Sequence, residues 1–98
     1  MKMVFLSYDI GIDDSVMLIL KEAGIKSYTK WQEVQDVPEK GRPRMGTHIW
    51  PGVNSAMLIP VPEDKEDLLM ETISSFNEQT KFEGIKTYCW NLEDICVK

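Results

Sequence analysis

The residues of this chain with the most open chemistry cluster around one stretch. His48 is the only histidine. A neutral imidazole suits first-row transition metals, so His48 is a candidate metal ligand, or a polar contact at the base of a loop. Arg42 and Arg44 bracket Pro43, and guanidinium groups so placed suit a phosphate or a carboxylate. Trp50, ahead of Pro51 and Gly52, offers a ring to stack on a ligand or an anchor for the chain's return. Gly46 suits a backbone conformation that a β-carbon resists. Trp31 and Glu33 lie two residues apart on a predicted strand and so share a face. Asn54 stands near the start of the strand that follows. Trp31, Glu33, Arg42, Arg44, Gly46, His48, Trp50 and Asn54 make up the predicted ligand-binding set. Each also has a plainer reading: solubilising charge for the arginines, packing for Trp31, a backbone hydrogen bond for His48.

Catalytic chemistry is poorly represented. With one histidine no Ser-His-Asp arrangement is arguable, and no Walker or dinucleotide fingerprint occurs. Asp9, Asp13 and Asp14 form an acidic cluster, but helix capping by Asp13 or Asp14 accounts for two of them. The reading is a protein that is not an enzyme. One histidine and two cysteines are too few soft ligands for a closed zinc site within one chain. Cys89 and Cys96 are seven residues apart, read as reduced thiols, with Cys89 a small buried hydrophobe between Tyr88 and Trp90.

Composition bounds the rest. The chain has 98 residues, enough for one small domain spanning 1–98. It is 43% hydrophobic and 28% charged, an ordinary globular balance. Eleven bases against 16 acids give −5, which argues against a nucleic-acid binder. No apolar run approaches the ~20 residues of a membrane span, and Met1 leads straight into an apolar strand without the features of a secretory signal. The charge is uneven. Residues 62–83 carry seven acids and two bases, whereas 26–50 carry five bases and three acids. That leaves a locally basic stretch able to meet an anionic ligand.

The elements that must position these residues alternate clearly. Lys2–Tyr8 reads as a buried strand, and Val16, Met17, Leu20 and Ala23 recur at helical spacing before Gly24. Ser27–Val34 is a polar strand suited to a sheet edge. Pro38–Gly52 has the Gly and Pro density of a loop and is long for so small a domain, the mark of a functional or a disordered segment. Val53–Val61 is an apolar strand with Pro60 at its exit. A second helix starting at 62–64 buries Leu69, Ile73 and Phe76, with Leu68 beside them. Ile85–Leu92 is a last, mixed strand. The order β-α-β-β-α-β predicts an α+β, ferredoxin-like split βαβ fold: a four-stranded antiparallel sheet with both helices on one face. The first and third strands, central in that topology, are also the apolar ones. The other sheet face stays bare unless a partner covers it.

Three stretches then resemble the PII-like superfamily: Ala23–Thr29 followed by Glu33-Val34; the apolar strand running into Val61-Pro62-Glu63-Asp64; and Ile85–Tyr88 leading toward Leu92–Ile95. Loop 38–52 falls where that family carries its T-loop. The resemblance implies a cytoplasmic homotrimer that binds a small effector in intersubunit clefts and regulates a partner, such as a membrane transporter or efflux protein, through loop 38–52. It covers nearly the whole chain. The segment 77–84, where nitrogen regulators carry a phosphate loop, has one glycine and two acids, a poor cradle for phosphates. The family's basic C-terminal segment is also missing. Both departures argue against ATP binding of the usual kind, and the ligand is read as a divalent metal or a nucleotide. The sequence is similar to a divergent branch of the family, and two alternatives stand beside it: a metal-tolerance protein of CutA type using His48, and a small enzyme with its site on the open sheet face.

Overall fold

The computed structural model describes residues 1–81 and 83–98; Phe82, inside the segment compared above with a phosphate loop, lies outside them. Strand β1 (Lys2–Asp9) pairs antiparallel with β3 (Asn54–Val61) on one side and β4 (Lys86–Asn91) on the other, and β2 (Thr29–Val34) pairs with β3, giving the order β2-β3-β1-β4. Helix α1 (Asp13–Glu22) joins β1 to β2, and α2 (Glu66–Gln79) joins β3 to β4. This is the expected ferredoxin-like α+β sheet, with the apolar strands central and the polar ones at the edges. Strand limits differ from the expected ones by one or two residues, the usual fraying of element ends.

Alternation along the strands separates two faces. Val4, Leu6 and Tyr8 of β1, with Met57, Ile59 and Val61 of β3, turn toward the helices and are buried with Val16, Ile19 and Leu20 of α1 and Leu69 and Ile73 of α2. Phe76 packs on this core as expected. Leu68 does not: it is 52% exposed, because it lies about 100° around the helix from Leu69. Cys89 is also exposed rather than buried, since it stands on edge strand β4, and both cysteines are unbridged. Pro60 is the penultimate residue of β3, opposite Met3, at the exit as expected. The ladder between β3 and β2 ends at Leu58, so no β2 partner waits for the missing N–H.

The start of α1 departs from expectation in a way that shapes the core. Neither Asp13 nor Asp14 caps it. Asp9 caps a short 3-10 turn, Ile10–Ile12, by accepting from the Gly11 amide at 2.7 Å. Asp13 instead accepts from the Tyr8 hydroxyl at 2.6 Å and from Lys30 Nζ at 2.7 Å. It therefore ties β1 and β2 to the helix. Burial raises the Tyr8 phenol first of all, and the Asp13 carboxylate raises it further, so it stays neutral. At Asp13, burial pushes upward, but the hydrogen bonds from Lys30 and Tyr8, with the Lys30 charge, outweigh it and hold the carboxyl below its ordinary range.

The other face of the sheet carries no helix. Met3 and Phe5 of β1, Leu58 and Pro60 of β3, Trp31 of β2 and Tyr88 and Trp90 of β4 share it by register. Phe5 and Tyr88 stack with ring centroids 6.1 Å apart. Trp31 and Trp90 are 47% and 48% exposed. Among the described residues, no helix is long and apolar enough to cross a membrane.

A depressed carboxyl stabilises the fold above its unfolded value, about 3.9, and loses that contribution as pH falls through its folded value. Asp13→Ala is expected to cost about 1–3 kcal/mol at neutral pH, because it removes the carboxylate that accepts from the buried Tyr8 hydroxyl and pairs with Lys30. Its urea stability should also fall less steeply than that of the wild type below about pH 4. An identical acid dependence in the two proteins would contradict this role.

Candidate functional site

The long loop is not patternless, because its own backbone closes it twice. The Asp36 amide donates to the Arg44 carbonyl at 2.8 Å and the Arg44 amide to the Asp36 carbonyl at 2.7 Å. This isolated bridge makes residues 37–43 a closed outer loop. Beyond it the Gly46 amide reaches the Gly52 carbonyl at 3.0 Å and the Thr47 amide the Trp50 carbonyl at 2.9 Å. Thr47 Oγ1 accepts from the Trp50 amide at 3.0 Å. Residues 47–50 thus form a tight tip, with Ile49 76% exposed at it. Gly46, at φ +67°, supplies the left-handed turn that lets the tip fold back.

Arg44 is the hub of this arrangement. Its Nε donates to Asn54 Oδ1 at 2.6 Å, where β3 begins. One terminal nitrogen pairs with Asp9 at the end of β1, and the other with Glu83 Oε2 at 3.1 Å in the turn before β4. The Asn54 amide nitrogen continues the chain to Ser7 Oγ at 3.0 Å. The guanidinium also presses against the loop's return: a β-carbon on Gly52 would lie 2.7 Å from its central carbon. A second ion pair runs beside it, from Lys86 Nζ of β4 to Asp36 Oδ1 at 2.5 Å. Between these contacts opens a cleft of about 330 Å³ lined by Ser7, Asp36, Lys40, Arg44, Glu83 and Lys86 among others. Three cations there face three carboxylates, counting Asp9.

The turn that carries Glu83 is itself held. Asn77 Nδ2 donates to the Ile85 carbonyl at 2.9 Å, and Asn77 Oδ1 accepts the Ile85 amide at 2.7 Å. Gly84 must lack a side chain, because a β-carbon would sit 2.1 Å from Asn77 Oδ1. Sequence reasoning missed Asn77, Glu83 and Gly52 as positioning residues. The signal available for Glu83 was its charge, opposite to that of the basic stretch it meets.

Of the predicted site residues, Arg44 and Asn54 meet at this cleft. Arg42 is exposed on the outer loop, and His48 is exposed at the tip with Trp50 beside it. Glu33 and Gly46 line a separate shallow depression with Val34 and Met45. Trp31 lies on the open sheet face, and it does not share a face with Glu33 as the alternation suggested. A register shift between Trp31 and Val34 puts Val34, not Glu33, opposite Asn54, and a bulge of this kind breaks period-two alternation. Among the described residues, no group of three or more His, Cys, Asp or Glu side chains could hold a metal ion.

No protein-family model matches the sequence, and neither does any curated protein. Solved structures do match the fold. CPII, a nitrogen regulatory PII-like protein from Thiomonas intermedia, bound to ADP, AMP and bicarbonate, superposes with a TM-score of 0.70 at 18% identity, covering 95% of this chain and 88% of that one. The fold is that of the PII-like proteins. A PII-like signalling protein from Thermus thermophilus gives a TM-score of 0.66 at 18% identity over 93% of this chain and 85% of its own. The apo form of CPII gives 0.63 at 18% identity over 91% and 85%.

Removing the hub takes the cationic partner from two carboxylates and the donor from the Asn54 amide oxygen. Arg44→Ala is expected to lower stability by about 1–3 kcal/mol and to speed tryptic cleavage after Lys40. Gly52→Ala should show the same proteolytic change with a smaller stability loss, since it only displaces the guanidinium. A loop as resistant as the wild type's in both variants would remove Arg44 as its anchor.

Proposed function

We propose that this chain is a PII-like regulatory protein that binds a small effector at the loop-base cleft and signals through the posture of loop 38–52. The observation that carries this reading is convergence. One cleft touches the end of β1, the start of β3, the start of β4 and the turn after α2, and the loop hangs from it by Arg44. A ligand that redistributes those contacts changes the loop without disturbing the core. The work is binding rather than catalysis, and the partner meets the exposed Ile49 and Trp50 at the tip. A membrane transporter or efflux protein is the partner class the family resemblance suggests.

The charge balance narrows the effector. Three cations already matched by three carboxylates do not favour a triphosphate, whose charge would need neutralising. A small effector of lower charge fits better, and ADP, AMP and bicarbonate, bound by the similarly folded CPII, are the first compounds to try. The apolar open face supports assembly as a homotrimer, which buries Trp31, Tyr88 and Trp90 and completes clefts between subunits.

Two measurements test the reading. Light scattering at micromolar concentration should give three times the mass of the chain, and Trp31→Glu should dissociate the assembly; a wild-type monomer would sink the shared-cleft model. Calorimetric titration with ADP, AMP and bicarbonate should show saturable binding that Arg44→Ala weakens by about tenfold, equivalent to about 1.4 kcal/mol. If none of the three binds the wild type, the cleft is not an effector site for them. Titration with copper, zinc, cobalt and nickel against His48→Ala checks a metal role for the loop tip, and equal uptake by both proteins removes His48 from it.

A further inference from the structure

Arg44 is engaged on three sides, but its three partners are not equivalent. Asn54 is buried in the strand, and the Asp9 side chain also caps the turn that follows β1. Both are fixed by the fold. Glu83 has no second partner of this kind, and its side chain is 57% exposed, against 17% for Arg44. The neighbouring pair differs again: Asp36, itself only 17% exposed, is locked to Lys86 and joined through its backbone to Arg44. Thus one carboxylate at the cleft is easily exchanged, and it faces the cation that an incoming anion would need.

Resting on the effector reading above, we infer that Glu83 is a resident pseudo-ligand. Its carboxylate occupies the oxyanion seat on Arg44, and an effector binds by replacing it. The chemistry is that of an oxyanion, whether free or carried on a nucleotide, accepting from the outer guanidinium nitrogen. Exchange is close to neutral in charge at Arg44, so the seat need not be reorganised. Displaced Glu83 swings toward solvent, while Asn77 keeps its two hydrogen bonds to Ile85, just ahead of the last strand. The effector then takes over one of the contacts that join the loop's anchor to the sheet. The acidic segment that makes a poor phosphate cradle becomes, on this account, a competitor that sets the affinity threshold.

The test compares wild type, Glu83→Gln and the control Glu78→Gln, which removes a nearby exposed acid that does not touch Arg44. All three are titrated with inorganic phosphate, ADP and adenosine, with folding checked by circular dichroism. Glu83→Gln should bind phosphate and ADP about two- to five-fold more tightly than wild type, the range for losing one exposed ion-pair competitor. Adenosine, which has no oxyanion, should be unaffected, and Glu78→Gln should match wild type. Equal affinity of Glu83→Gln and wild type would overturn the pseudo-ligand while leaving the effector site standing. An equal gain in Glu78→Gln would overturn it in favour of general electrostatics. No binding of phosphate or ADP by any of the proteins would overturn both the pseudo-ligand and the site.

Discussion

A single guanidinium organises the functional end of this molecule. Arg44 belongs to a long loop by sequence, yet its contacts are with the end of β1, the start of β3 and the turn before β4. Fifteen residues of chain have many conformations to lose, and the short tip turns cannot by themselves say where the loop lies. The ion pairs and the Asn54 hydrogen bond supply that direction. The Asn54 hydrogen bond is partly buried, and charge-assisted hydrogen bonds in such surroundings are stronger and more directional than exposed pairs. Asn54 and Ser7 then carry the same polar chain into the sheet, so the loop's position and the sheet's end are one structure.

The second constraint is one-sidedness. Both crossovers place their helices on the same face, which gives Val4, Leu6, Tyr8, Met57, Ile59 and Val61 a complete core. The opposite face keeps two half-exposed tryptophans and an exposed tyrosine stacked on Phe5. A chain of this size cannot cover both faces of a four-stranded sheet with two helices. The same asymmetry leaves the strand ends free to carry polar groups, and the cleft grows at one of those ends.

Much of the fold was legible because it depends on local pattern. Val16, Leu20 and Ala23 at helical spacing, and apolar first and third strands between polar edges, require no knowledge of distant contacts. The misreadings came where a distant partner overrode a local rule. Asp13 has the form of a helix cap, but Tyr8 and Lys30 reach it first. Glu33 should share a face with Trp31, but a register shift interrupts the alternation. Leu68 looked like part of a stripe whose width only the opposing sheet could set. At the site, Arg44 and Asn54 were picked out for their chemistry, whereas Glu83, Asn77 and Gly52 act through neighbours far away in sequence.

By itself, then, the sequence determined the element order, the central and edge strands, the length of the loop and the split between a basic 26–50 stretch and an acidic 62–83 stretch. Those follow from residue type and spacing, which act over a few residues. Only the tertiary structure decided what the charges were for. It brought Arg44 from the basic stretch against Glu83 from the acidic one, 39 residues apart, and it split the expected set, with Arg44 and Asn54 at the cleft, His48 and Trp50 at the loop tip and Trp31 on the open face. An ion pair has no sequence period to betray it. It forms where folding of the core leaves two opposite charges within reach, and that depends on the whole sheet.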